Sequence, residues 1–132
     1  MIAYRIQDKH RGTEYLLDPE TQYSRPMSDD ESLVRHGVSG CETIEELAAY
    51  WSLEAVYATE PVLVRIEGPQ SEDEPLRAHW GEVLVLPETA EVIEGSPVWD
   101  LISYLVDRVE EDYTLTYDQL VEIGADWLEE NN

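Results

Sequence analysis

Ser96-Pro-Val-Trp-Asp-Leu-Ile-Ser-Tyr-Leu-Val-Asp-Arg-Val-Glu-Glu111, followed by Thr116-Tyr-Asp-Gln-Leu-Val-Glu-Ile-Gly-Ala-Asp-Trp-Leu128, decides the helical half of the fold. Ser96 is an N-cap residue, and Pro97 falls at the first helical position, where a missing N–H costs nothing. Val98, Leu101, Ile102, Leu105 and Val109 then keep one apolar stripe, which predicts a helix over about residues 97–111. Thr116 and Gln119 form a capping box ahead of Leu120, Ile123, Trp127 and Leu128, which share one face of a second helix. Gly124 weakens that helix by roughly 1 kcal/mol relative to alanine without forbidding it. The two segments make a C-terminal helix hairpin.

Upstream, the pattern changes from helical to extended. Residues 2–6 (Ile-Ala-Tyr-Arg-Ile) alternate as a strand, and Asp8 to Gly12 read as a turn. Residues 13–34, with Pro19 and Pro26, read mostly as loop, with a short strand allowed at Tyr15-Leu16-Leu17. Thr43 and Glu46 form another capping box, predicting a helix over about 44–51 that extends at most to 57. Ile44, Leu47, Ala48 and Trp51 form its apolar face, leaving Glu45, Glu46 and Ala49 toward solvent. Pro61–Glu67 and Glu82–Leu86 have the β-branched density of two central strands joined by an acidic loop, and Ala90–Ile93 is a candidate further strand.

These elements predict one α+β domain over residues 1–132: a small mixed sheet packed by one helix after residue 43 and by the C-terminal hairpin. At 132 residues with 42% hydrophobic content, the chain suffices for one core and not for two. Cys41 is the single cysteine, so no internal disulfide forms, and no apolar run reaches the ~20 residues a bilayer span needs. The N-terminus goes directly into strand pattern with no apolar signal-peptide core, which predicts a cytoplasmic protein.

The outlying feature is charge. Thirty acidic residues against eight basic give −22, a surface that repels nucleic-acid backbones and anionic lipid and attracts basic proteins. Acidity is densest in the hairpin, where Asp100, Asp107, Glu110, Glu111, Asp112, Asp118, Glu122 and Asp126, with Glu129 and Glu130 beyond them, face a single cation, Arg108. Carboxylates on the outer faces of paired helices present negative charge at spacings comparable to DNA phosphates. The expectation is a non-enzymatic inhibitor or mask of a basic, nucleic-acid-binding partner, with those first eight residues as its contact surface. No residue is assigned to catalysis, a cofactor or a metal. His10, His36, His79 and Cys41 lack the spacings that hold zinc on one element. Cys41, just before a helix, has a position that lowers a thiol pKa but no identifiable base. Three other origins fit the same charge: an ordinary solvated helix face, adaptation to concentrated salt in a chain whose one lysine is Lys9, and an immunity-type protein covering a basic toxin.

A second set of residues points elsewhere. Tyr4-Arg5 on the first strand, Ser39-Gly40-Cys41 before a helix reading Glu-Glu-Leu-Ala-Ala-Tyr50, and Glu82 ahead of Val-Leu-Val-Leu-Pro87 resemble the Arg…Ser…Glu layout of ADP-ribosyltransferases. The resemblance spans residues 3–93. It implies that Arg5 and Ser39 help hold NAD and that Glu82 orients the nicotinamide ribose. Cys41 stands where the family's second hydroxyl residue is usual, and Trp80 stands two before the glutamate, where Gln or Glu is frequent.

Overall fold

The structure is a computed structural model that describes residues 1–24, 34–54 and 60–131. Its centre is a five-stranded sheet of β1 (Ile2–Asp8), β4 (Val38–Cys41), β5 (Pro61–Glu67), β6 (Glu82–Val85) and β7 (Thr89–Ile93), in the order β6-β4-β1-β5-β7. The short strands β2 (Tyr23–Ser24) and β3 (Arg35–His36) pair as a separate ribbon. The α+β class is as expected, and the sheet anticipated as mixed is antiparallel at every pairing. Of the two segments expected as central strands, 61–67 is interior and 82–86 is not. β5 lies inside the sheet, β6 forms one edge, and residue 86 falls outside the strand. The candidate strand at 90–93 is β7, beginning at Thr89 and forming the other edge.

Helices cover one face of the sheet. In α1 (Ile44–Glu54), Leu47 packs with Ile6, Cys41, Leu63 and Val98. Ala48 and Ala49 face the other way, into Leu101 and Leu105 of α2 (Val98–Glu111) and Leu120 of α3 (Tyr117–Glu130). Ala49, expected toward solvent, is therefore fully buried. A helix sandwiched between a sheet and a hairpin buries two stripes, and small side chains on the second stripe let the neighbouring helices approach. The stretch 55–57, to which α1 was allowed to extend, lies outside the described residues.

The caps explain where the helices start. α2 begins at Val98 with Pro97 at the cap position, one residue later than expected, and Ser96 Oγ accepts the Val98 N–H at 3.2 Å; Thr116 and Gln119 satisfy each other's backbone N–H groups as a complete capping box. The box at Thr43 is only half formed. Its hydroxyl accepts the Glu46 N–H at 3.2 Å, but the Glu46 carboxylate takes that hydroxyl at 2.9 Å instead of the Thr43 N–H. Glu46 is also approached by Tyr117 Oη from α3, at 3.5 Å.

Residues 13–24 cover part of the opposite face of the sheet. Tyr15-Leu16-Leu17 is not a strand: Glu14–Leu17 forms a 3-10 turn that drives Leu16 alone into a cluster with Ala3, Val38, Val64, Ile66 and Val85. Buried Gln22 ties this segment down, its Nε2 donating to Leu16 O at 2.8 Å and to Pro87 O at 3.0 Å. With both faces covered, β5 reads as a nearly continuous apolar run. Among the described residues, no helix is long and apolar enough to cross a membrane.

Candidate functional site

The sheet is split. β1 pairs with β5 along its whole length and β4 pairs with β6 along its whole length, yet β1 and β4 are joined at one register pair, Tyr4↔Cys41. Gly40 makes that junction possible, because a Cβ there would lie 2.8 Å from the Tyr4 carbonyl oxygen. Beyond the junction the strands part. The Arg5 side chain reaches across the gap, its Nη1 donating to the Ser39 carbonyl at 3.1 Å.

Ser39 in turn reaches β6. Its Oγ donates to Glu82 Oε2 at 2.5 Å, and the other carboxylate oxygen, Oε1, accepts the Arg77 N–H at 2.8 Å. Arg5, Ser39 and Glu82, far apart in sequence, thus form one hydrogen-bonded chain across three neighbouring strands. All three line a single cavity of about 620 Å³, within the usual range for small-molecule sites.

Tyr50 and Glu54 of α1 form part of one wall. Tyr50 packs edge-on against Trp80, with ring centroids 6.2 Å apart. Glu54 pairs with Arg77 at 2.6 Å, and the Arg77 guanidinium also lies over the Trp80 ring. Tyr15, Tyr23, Arg11 and Arg35 are among the other lining residues, together with apolar Leu16, Val38, Leu76 and Leu84. The chain holds eight Lys and Arg in all, and four of them line this one cavity, against Glu54 and Glu82 as its carboxylates. Outside it the surface is overwhelmingly negative.

Burial shapes the chemistry of these groups. The Arg5 pKa is depressed by desolvation, and its Nε is a buried donor without a hydrogen-bond partner among the described residues. A guanidinium stays protonated regardless, so the unmade bond is a standing cost of the fold. Desolvation, with Glu82 and Glu54 nearby, pushes the Tyr50 phenol up to about 12 and keeps it neutral. Cys41 is not activated by its helix. It is buried, and burial together with Glu46 and Glu82 pushes its thiol up to about 12, the reverse of the shift its position allowed. Trp80, in the turn before β6, stands where the resemblance expects a second polar group; it packs against Tyr50 and His79 and is not among the residues that line the cavity.

The eight hairpin carboxylates, Asp100, Asp107, Glu110, Glu111, Asp112, Asp118, Glu122 and Asp126, are all exposed. Asp118, Glu122 and Asp126 follow at four-residue steps, which sets them about 6 Å apart along one side of α3. Several also have local structural duties. Asp112 Oδ1 accepts both the N–H and the hydroxyl of Thr114, which hold its pKa below the ordinary aspartate value and fix the turn between helices. Asp100 and Asp118 sit in first helical turns, where negative charge is favoured.

Other polar clusters are less suited to chemistry. Ser71, His36 and Asp73 meet, but through the His36 backbone: Ser71 Oγ donates to its carbonyl at 2.5 Å, and its N–H donates to Asp73 Oδ2 at 2.7 Å. The imidazole is thus not placed as a base for the serine. Among the described residues, no group of three His, Cys, Asp or Glu side chains is placed to hold a metal ion.

Sequence reasoning missed Arg11, Arg35, Arg77 and Tyr50. The signal that finds them is scarcity: in a chain of this charge, each arginine calls for an explanation. Comparison of the chain with protein-family models, curated proteins and solved structures finds no match. The cavity is therefore read from its own residues.

Proposed function

We propose that the cavity binds a dinucleotide of the NAD type and that the protein is ADP-ribosyltransferase-like. Arg5 and Ser39 hold the dinucleotide, and Glu82 orients the ribose on the nicotinamide side. The observation that supports this most directly is the hydrogen-bonded chain Arg5–Ser39–Glu82 across the split sheet. Cavity size and the excess of arginine over carboxylate fit an anionic ligand carrying rings. Donors at both Glu82 oxygens restrict that side chain to one orientation. A carboxylate so held stabilises the positive charge that develops on a ribose as its bond to nicotinamide breaks.

Calorimetric titration with NAD at low ionic strength, followed by assay of nicotinamide release, tests the reading. Glu82→Gln is expected to keep NAD affinity within a few-fold and to lose on the order of 10²-fold or more in turnover. Turnover by that variant at the wild-type rate would remove Glu82 from the mechanism and the transferase reading with it.

A second reading, an electrostatic inhibitor of a basic nucleic-acid-binding protein, is favoured by one observation. All eight hairpin carboxylates are exposed, while four of the chain's eight cations line the cavity and not the hairpin. Capture from a host lysate at low salt is then expected to retain one dominant DNA- or RNA-binding protein that duplex DNA displaces. Reversing Glu110, Glu111, Asp118 and Glu122 to lysine is expected to abolish that capture. Capture unchanged by the reversal, or a smear of basic proteins, sinks this reading and leaves the charge as a solvated surface.

A further inference from the structure

Arg11, outside the Arg5–Ser39–Glu82 chain, is mounted on a frame of its own. It ends the 3-10 turn Lys9–Arg11, after which Gly12, at φ 68°, reverses the backbone. Buried Gln7 on β1 holds that turn, its Nε2 donating to the Gly12 carbonyl at 2.6 Å. The Gln7 Oε1 accepts the Tyr15 hydroxyl at 3.1 Å, which fixes the ring orientation. The Arg11 guanidinium lies over that ring, 5.8 Å from its centroid, a cation–π contact that aligns it without neutralising it.

Neither Arg5 nor Arg11 pairs with a carboxylate among the described residues, although acidic side chains outnumber basic ones almost fourfold in the chain. The two are close enough to oppose each other: beyond the dominant effect of burial, partly offset by Tyr15, the Arg11 charge lowers the Arg5 pKa further. Two like-charged, uncompensated guanidiniums facing one cavity match a ligand with two adjacent anionic groups, and their planar forks suit phosphate oxygens.

We propose that Arg5 and Arg11 form a two-guanidinium clamp for a diphosphate, with Arg11 a binding residue set in place by Gln7 and Tyr15. The clamp rests on the cavity's being a nucleotide site, and it adds the ligand's diphosphate as the group recognised there. A ligand with a single carboxylate engages one arm and binds more weakly.

The test is calorimetry at low ionic strength with inorganic pyrophosphate, ADP-ribose and, as the uncharged probe, adenosine. Arg11→Gln, an exposed substitution, is expected to weaken pyrophosphate and ADP-ribose about tenfold or more, the size of one lost charge-assisted contact, and to leave adenosine unchanged. Arg11→Lys is expected to recover part of the loss. Equal pyrophosphate affinity in wild type and Arg11→Gln overturns the clamp, as does an equal loss for adenosine, which marks a merely structural effect. If either happens while wild type still binds NAD, the clamp falls and the nucleotide site stands. If wild type binds neither NAD nor ADP-ribose, the site itself falls.

Discussion

The cavity and the C-terminal hairpin handle charge in opposite ways. In the cavity, arginines and tyrosines converge from β1, the turns after it, the β2–β3 ribbon, α1 and the segment before β6; Arg5 is desolvated there, while Arg11 and Arg77 are exposed. On the hairpin, carboxylates lie on outer helix faces, each solvated, with the apolar stripe turned inward onto α1. Converging charge is costly to assemble and persists where something uses it. Dispersed charge on a water-facing helix costs little and needs no ligand to explain it. This difference is the ground on which the proposed site is placed in the cavity, even though the hairpin dominates the composition.

The widest test of the comparison strikes what the two regions share. Leu105 is fully buried where α2 meets α1 and α3, beside Ala48, Ala49, Leu101 and Leu120. Leu105→Ala is expected to cost about 2–5 kcal/mol, the range for an alanine cavity in a closed core. Urea unfolding measures it, and a cost below about 1 kcal/mol would show that the hairpin is not integral to the domain.

A narrower substitution strikes the cavity alone. Gly40→Ala puts a methyl 2.8 Å from the Tyr4 carbonyl oxygen and 3.2 Å from Ala3 Cβ. The obstacle is backbone, so β1 and β4 must separate at their one junction, with an expected cost of about 1–3 kcal/mol. Because Ser39 and Arg5 flank that junction, NAD affinity is expected to fall more than stability does. Calorimetry and urea unfolding on the same variant separate the two losses, and a stability loss with NAD affinity unchanged would mean that the junction does not shape the site.

The hairpin and the cavity also differ in how far each was legible in the sequence. Caps and apolar periodicity act within a few residues of each other, so Ser96, Thr116 and the stripe from Val98 to Val109 sufficed to place the starts of α2 and α3 within a residue. Strand order is a long-range property, and nothing local distinguishes the edge strand β6 from the interior strand β5, both being rich in valine and leucine. The same limit explains Ala49 and Leu16, whose burial depends on partners remote in sequence. Arg5, Ser39 and Glu82 were noticed through a resemblance and not through any spacing rule. Their neighbours Arg11, Arg77 and Tyr50 sit singly on turns and a helix, where no periodicity marks them.

At the hairpin itself, Thr116→Ala removes the hydroxyl that accepts the Gln119 N–H at 3.2 Å. The expected loss is about 1 kcal/mol, read as a small drop in urea midpoint with NAD affinity unaltered. A change in NAD affinity would couple the hairpin to the cavity and undo the separation between them. Tyr117, the next residue, is the route by which such coupling would travel, since its hydroxyl approaches Glu46 and lies under Gly81, one residue before Glu82.

The smallest expected effect carries the comparison to its limit. Reversing Glu110, Glu111, Asp118 and Glu122 to lysine alters exposed side chains, of which only Asp118 has a local role, at the start of α3. Surface substitutions of this kind stay within about 0.5 kcal/mol each, and a chain at −22 gains from reduced self-repulsion. The cost at Asp118 and the gain from lower net charge therefore oppose each other, and the urea midpoint at low salt is expected to stay close to wild type, with NAD affinity untouched. A large destabilisation would mean that these carboxylates belong to the fold. An unchanged fold isolates the hairpin surface as a variable, so that whatever the reversal then does to partner capture belongs to recognition and not to folding.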